Sequence, residues 1–290
     1  MALSFLSKGR RLLDVRSLIV GSWLQNQMST SESMLMSQTS ETPTSQSSKI
    51  YEMRSYYVKP KAFADFMKLT NEYIHLKAES NSKLNGYWTS DIGGINEVIH
   101  IWEYGILTLL EKGIFEYWYS FEDKYFPNKV FLFADSYAQR TEARKALSQD
   151  QTWIDSYIKK ILKMLTKQDN LVMYAVPWFD VKPPMTTGGV YELRMYDIMM
   201  GKSEQWQHRV IQGFPDRCKV SEPAGVWTTE FGPLSSAVFL WPYPSLDERI
   251  RLRKEAQQQE EWVEAVRDCS SFAKGGVSKV LIPTDFSPWR

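Results

Sequence analysis

The sequence predicts an α+β protein in which two tandem ferredoxin-like repeats, each β-α-β-β-α-β, close one barrel within a single chain. The first observation behind this is an internal duplication. YEMRSY from Tyr51 is answered by YELRMY from Tyr191, GYWTSDIGG from Gly86 by GVWTTEFGP from Gly225, and VIHIWEY ending at Tyr104 by VFLWPY ending at Tyr243. RTEARKALSQDQTW ending at Trp153 is answered by RIRLRKEAQQQEEW ending at Trp262. Matched order across four blocks means two copies of one domain. The second observation is the order of strand-like and helix-like segments in each copy, which is that of the split βαβ unit. Two helices cover only one face of its four-stranded sheet, and two copies can stack their open faces into a barrel.

Each element has a local cause. YEMRSYYV alternates and is rich in tyrosine, which suits a pleated strand. From Pro60 to about Ser80, Phe63, Phe66, Met67, Leu69 or Thr70, Tyr73 and Ile74 recur at helical spacing, and Pro60 sits where a first turn tolerates it. The blocks around Trp88 and Trp102 predict two strands joined at Gly93-Gly94 as a hairpin. A second helical region runs through Trp153, Ile154, Tyr157, Ile158, Ile161 and Leu162, and LVMYAVPW closes the copy as its fourth strand.

The organisation that follows is a leader at 1–27, a linker at 28–49, a first repeat at 50–180 with an extra segment at about 105–134, a connection at 181–189 and a second repeat at 190–290. Lys8, Arg10, Arg11 and Arg16 lie among leucines and face only Asp14, the basic amphipathic pattern of a mitochondrial transit peptide. The apolar run Leu18-Ile19-Val20 is too short for a secretory core or a membrane span, so no transmembrane segment is expected. Residues 28–49 are Ser-, Thr-, Gln- and Met-rich without periodicity, as in a flexible linker. A 43% hydrophobic and 14% aromatic composition excludes wholesale disorder. The net charge of +1 argues against a protein built to hold nucleic acid, because that requires a basic field.

Candidate functional residues come from strand alternation. Glu52, Arg54 and Tyr56, with Glu192, Arg194 and Tyr196, share one face of the first strand in each copy. His100 and Trp102, with Trp241, share the same face of the third. We assign this polar and aromatic face to the barrel interior, where it could line a ligand site, and assign Tyr51, Met53, Tyr191, Leu193 and Met195 to the helix side. The plainer expectation is that Glu and Arg pair as buried ions and fix how the two sheets register. His100 could be a general base or a haem ligand, yet its counterpart is Phe239, so the repeat does not demand an imidazole. His75 and His208 read as surface groups on helices. No metal-ligand spacing appears, no cofactor is expected and no catalytic residue is assigned. Cys218 and Cys269 lack a local base. Gly93-Gly94, Gly188-Gly189 and Gly275-Gly276 read as turn or linker glycines, and Glu248 to Glu261 as a solvated charged helix face.

The two YE-M/L-R-x-Y strands, the His100 to Trp102 strand, the RTEARKAL helix and the closing LIPTDFSPW resemble the NIPSNAP proteins from about residue 50 to Arg290. The resemblance implies a tandem dimeric α/β barrel and mitochondrial residence, in the matrix if the leader is used and with a cytosolic pool otherwise. It also implies protein partners in mitochondrial quality control, where family members present themselves to autophagy adaptors, or in vesicle traffic. The family carries no settled enzymatic activity; the alternative class is a small-molecule or haem-binding barrel with oxygenase-like chemistry in its interior. One departure stands out. Trp102 to Trp153 spans 51 residues where Trp241 to Trp262 spans 21, so the first copy holds 30 more. Eighteen of those 30 are Phe, Tyr, Ile, Leu, Lys or Asn and one is Ala, the bias of translated A/T-rich non-coding sequence; a lid or partner-binding segment is the competing reading.

Overall fold

The computed structural model describes residues 49–105, 136–186 and 188–290. The leader, all of the linker but Lys49, and the extra segment beyond Gly105 lie outside the described residues. The first copy runs β1 (Ile50–Val58), α1 (Phe63–Tyr73), α2 (His75–Glu79), β2 (Lys83–Ile92), β3 (Glu97–Tyr104), α3 (Ser136–Gln149), α4 (Lys159–Met164) and β4 (Leu165–Ala175), with a wider π turn, Trp153–Ile158, leading into α4. The second runs β5 (Val190–Ile198), α5 (Ser203–Val220), β6 (Gly225–Phe231), β7 (Ser236–Tyr243), α6 (Leu246–Ala256), α7 (Glu260–Ser270) and β8 (Ala273–Pro283).

All eight strands close into one antiparallel barrel in the order β1-β3-β2-β8-β5-β7-β6-β4. Each copy contributes a four-stranded sheet, and the seams are β2 on β8 and β4 on β6. Closure removes every free edge, which a single copy would leave at both sides. The second helical slot is broken in both copies. In the first, Asp150 Oδ1 accepts from Trp153 N at 2.9 Å and restarts the helix; in the second, α6 starts at a Ser245 cap and ends in a turn at Gln257 to Gln259, where Gln258 N donates to Glu255 O and Gln259 N to Ala256 O before α7 begins. β4 begins at Leu165, six residues before the expected start, because Leu165 and Lys167 to Asn170 continue the pairing with β1, with a register shift at Thr166. Gly275-Gly276 is not a turn. It lies inside β8, where Gly276 pairs with Tyr196 and a Cβ would stand 2.9 Å from the Met195 carbonyl oxygen.

The strand faces are the reverse of the expected assignment. The lumen is filled by Tyr51, Met53, Trp88, Ile99, Ile101, Leu171 and Met173 of the first copy and Tyr191, Leu193, Trp227, Val238, Leu240 and Leu281 of the second. Glu52, Arg54, Tyr56, His100 and Trp102, with Glu192, Arg194, Tyr196 and Trp241, face the helices instead. The physical reason is access to counter-charge. A lumen closed on all sides holds apolar groups without a desolvation penalty. A helix laid over the outer face can bring arginines whose stems reach solvent while their heads meet a buried carboxylate.

The G-x-W pattern of β2 and β6 serves this lumen. Residues two apart share a face, and each indole folds back over its glycine, so that a Cβ on Gly86 or Gly225 would fall 2.1 Å from the ring of Trp88 or Trp227. The C-terminal tail supplies the last piece. Trp289 packs between Trp88 and Trp227 at centroid distances of 6.1 and 6.4 Å, and its Nε1 donates to Pro183 O at 3.0 Å. Ser287 Oγ accepts from Tyr87 N and donates to Trp289 O. A tail that fills the lumen is structural: Trp289→Ala is expected to cost about 3–5 kcal/mol, read from the urea midpoint of the full chain. An unchanged midpoint would mean the tail merely rests on the barrel.

Candidate functional site

The helix-facing side of each sheet carries one buried carboxylate. Glu52 on β1 accepts from Arg54 Nη2 at 3.0 and 3.2 Å, from Arg140 Nη2 on α3 at 2.8 Å, from Asn170 Nδ2 at 3.0 Å and from Tyr104 OH at 3.1 Å. Glu192 on β5 is held by Arg249 of α6, whose Nε donates to Oε2 at 3.0 Å while Nη2 meets Oε1, and by Ser278 Oγ at 2.8 Å. Arg194 and Arg253 approach it at 3.5 and 3.7 Å. The partners correspond across the repeat. Arg140 and Arg249 occupy matching positions in RTEARKAL and RIRLRKEA, while Asn170 and Ser278 pair with Arg54 and Arg194 in the sheet.

A further cation sits beside each ion cluster. Lys77 Nζ of α2 lies 3.9 Å from the Trp102 ring centroid, and the Arg217 guanidinium of α5 lies 4.1 Å from that of Trp241. Both are buried, and they are related by the same 140-residue offset as Tyr51 and Tyr191. Burial, aided by Arg54, pushes the Lys77 amine well below its ordinary value, and burial likewise lowers Arg217. Burial alone would raise Glu52 and Glu192. The Arg54 charge and the Arg140 bond overcome it at Glu52, and the Arg249 bond and Arg194 charge do so at Glu192, so both carboxyls sit below the usual range.

Above these floors the two copies differ. In the first, Tyr87 stacks on His100 at 4.8 Å and Tyr56 meets its edge at 4.8 Å, while Thr70 Oγ1 and Tyr157 OH share a hydrogen bond of 3.1 Å. His100 Nδ1 accepts from Trp102 Nε1 at 2.6 Å, which places the ring proton of a neutral imidazole on Nε2, an atom with no hydrogen-bond partner among the described residues. Burial, then the Lys77 and Arg54 charges, push this imidazole well below 6.5. What space remains is a cavity of about 260 Å³ bordered by Arg54, Lys77, His100, Trp153 and Tyr157. In the second copy Val226, Phe239, Val266 and Val210 stand where the first has Tyr87, His100, Tyr157 and Thr70. The cavity there is about 560 Å³.

The nine candidate residues are thus brought together in two groups, one under the helices of each copy, and none lines the lumen. The Glu–Arg pairs exist, but they tie helices to their own sheet and do not register one sheet on the other. That task falls to Glu97 of β3, fully buried, whose Oε1 accepts from Lys279 Nζ of β8 at 2.7 Å across the β2–β8 seam. Haem or general-base chemistry in the barrel interior loses its residue, since His100 points away from the interior into a space below the usual 300–1,000 Å³ of a ligand pocket. Sequence reasoning missed Lys77, Arg140, Arg217, Arg249 and Arg253. The last two stood in the run read as a solvated face, yet Arg140/Arg144 and Arg249/Arg253 share an i, i+4 spacing that puts each pair on one helix face. His75 and His208 are exposed, as expected. Burial pushes the Cys218 and Cys269 thiols up to about 11, which keeps them protonated. Among the described residues no group of His, Cys, Asp or Glu could hold a metal ion, and no helix is long and apolar enough to cross a membrane.

These features define a class: a duplicated ferredoxin-like α/β barrel with a solid lumen and a pocket beneath the helices of each half. The NIPSNAP family model matches residues 51–113 and 191–288, and the chain belongs to that family. It is 31% identical over 244 residues to protein NipSnap homolog 3A of Homo sapiens, spanning 83% of this chain and 85% of that protein. It is 29% identical over 251 residues to protein NipSnap homolog 3B of Mus musculus, spanning 86% and 89%. Among solved structures it is similar to a candidate monooxygenase of Fusobacterium nucleatum, with a TM-score of 0.54 at 9% identity over 81% of this chain and 92% of that one. An anthrone oxidase-like protein gives 0.53 at 7% identity over 84% and 96%. At such identities these show the shared fold alone.

Two outcomes check the ion clusters. Glu52→Gln and Glu192→Gln each leave buried guanidinium groups without their carboxylate and should lower stability by about 3 kcal/mol in urea titrations. A folded-state pKa below the unfolded one makes this stabilisation full above the ordinary glutamate value of about 4.3 and progressively lost as pH falls below it. The wild type should therefore weaken more steeply below that pH than either variant; parallel profiles would refute the assignment. Separately, the His100 ring resonances should not titrate between pH 6 and 8.

Proposed function

We propose that the protein acts in mitochondria by protein–protein interaction, as a rigid barrel whose outer surface or N-terminal segment engages partners in mitochondrial quality control, through autophagy adaptors, or in vesicle traffic. The observation that carries this reading is the commitment of the charged candidates to the scaffold. Glu52 and Glu192 spend their hydrogen-bonding capacity on arginines that clamp helices to the sheet, which stiffens the helical layer that a partner would meet. Family membership supports the same reading, and the basic amphipathic stretch at 1–27 supports the address.

Fusing residues 1–48 to a fluorescent reporter should send it to mitochondria, and a diffuse cytosolic signal would sink that address. Affinity capture from healthy and depolarised mitochondria should enrich an autophagy adaptor on the full chain only after depolarisation. Equal recovery in both states, or none, would remove the quality-control role.

A further inference from the structure

We propose that the hollow beneath the helices of the second copy binds a small amphipathic carboxylate, with its head on Arg194, Arg217 and Arg253 and its apolar body against Trp241, Trp262 and Val266. This goes beyond the interaction role above and does not depend on it.

Charge is the first argument. Three guanidinium groups, Arg194, Arg249 and Arg253, surround the single carboxylate of Glu192, and a fourth, Arg217, lies over the neighbouring Trp241 ring. Arg249 takes both its oxygens and Ser278 a further bond, so Arg194 and Arg253 are left at 3.5 and 3.7 Å. Arg217 donates to Ser221 O, Ser221 Oγ and Tyr243 OH, and no carboxylate pairs with it among the described residues. Three of the four acidic residues of α7, Glu261, Glu264 and Asp268, pair with Arg209 instead. Burial and the mutual repulsion of these arginines lower both Arg217 and Arg253, as expected of cations short of an anion. An anion supplied from outside would find this charge gathered in one place, with Arg217 buried and Arg194 and Arg253 partly withdrawn from water.

Shape is the second argument. The cavity, about 560 Å³ and open to solvent, falls within the range of small-molecule sites, while its first-copy counterpart is about 260 Å³. The same backbone therefore holds an ionic floor in both halves, but Tyr87 and Tyr157 fill the space in one, while the smaller Val226 and Val266 in their places leave it hollow in the other. Val263 and Val266 at its mouth are 41% and 48% exposed, so an apolar body lying there would cover surface that now meets water. A single anionic head on an apolar body satisfies both the charge and the walls.

The full chain titrated with dodecanoate below its micelle concentration, followed by calorimetry and by fluorescence of the cavity tryptophans, tests this. Saturable binding is expected, with dodecanol at least about tenfold weaker, since the neutral analogue forgoes the charge-assisted bonds. Arg253→Gln should weaken dodecanoate by about tenfold, and Val266→Trp, which fills the mouth from a half-exposed position, should abolish binding with an unchanged circular dichroism spectrum. Arg144→Gln, at the mouth of the other cavity, should leave it unchanged. The proposal fails if dodecanoate does not saturate, if dodecanol binds equally, or if the two cavity variants bind as the wild type does. Tighter binding of dodecyl phosphate would overturn the carboxylate assignment.

Discussion

One buried carboxylate in each half, Glu52 and Glu192, governs how the helical layer sits on the barrel. A charge this deep is tolerated only when donors surround it, and the sheet alone supplies too few. The missing donors arrive from helices far along the chain: Arg140 on α3 and Arg249 on α6. Once an arginine is bound to such a site, the axial position and rotation of its helix are set, and the neighbouring apolar residues follow into the spaces between β-strand side chains. In the first copy this brings Ala143 and Leu147 of α3 into the core cluster that holds Tyr56 and Trp102; in the second it brings Leu252 of α6 against the cluster that holds Phe239 and Trp241.

The same requirement explains why the cavities exist where they do. Each floor assembles more cations than its one carboxylate can neutralise, and the extra ones, Lys77 and Arg217, settle over indole faces. Packing directly against an ionic floor is costly for an apolar helix, so space tends to remain above it. The first copy fills that space with hydroxyls and an imidazole able to face the charges. The second places valines and a phenylalanine there, and the space persists. What distinguishes the halves is thus the content of the helix-facing layer, while the lumen is built alike in both, each contributing a G-x-W tryptophan and a tyrosine from its first strand.

Much of this was legible in the sequence. The duplication, the strand and helix order and the barrel followed from repeated blocks whose spacing is independent of which face they bury. The parity of the strands was not legible, because alternation states that Glu52 and Met53 face opposite ways without stating which way is in. Reading charge as interior was reasonable for a barrel that holds a ligand, and it failed because the lumen here holds three tryptophans, one of them the penultimate residue, Trp289. Nothing in the spacing of the tail announces that it returns to the lumen. Arg249 and Arg253 were hidden for a related reason: in ERIRLRKEA they alternate with residues that do form surface pairs, such as Arg251 with Glu248 and Glu255.

A solid lumen also separates two kinds of duty along each strand. Residues of one parity hold the halves together, and residues of the other parity line the pockets, so neighbouring positions answer to different demands. At β3 and β7, Ile99 and Val238 stay small and apolar inside, while one position along His100 becomes Phe239 with no effect on the lumen. At β2 and β6 the tryptophans persist inside, while the adjacent Tyr87 becomes Val226. Pocket contents can therefore differ without disturbing the barrel, and in this chain they differ between the halves. A fold arranged this way allows the barrel to serve as a rigid carrier for partners while a single half keeps a ligand-sized hollow, because the two demands never fall on the same side chains.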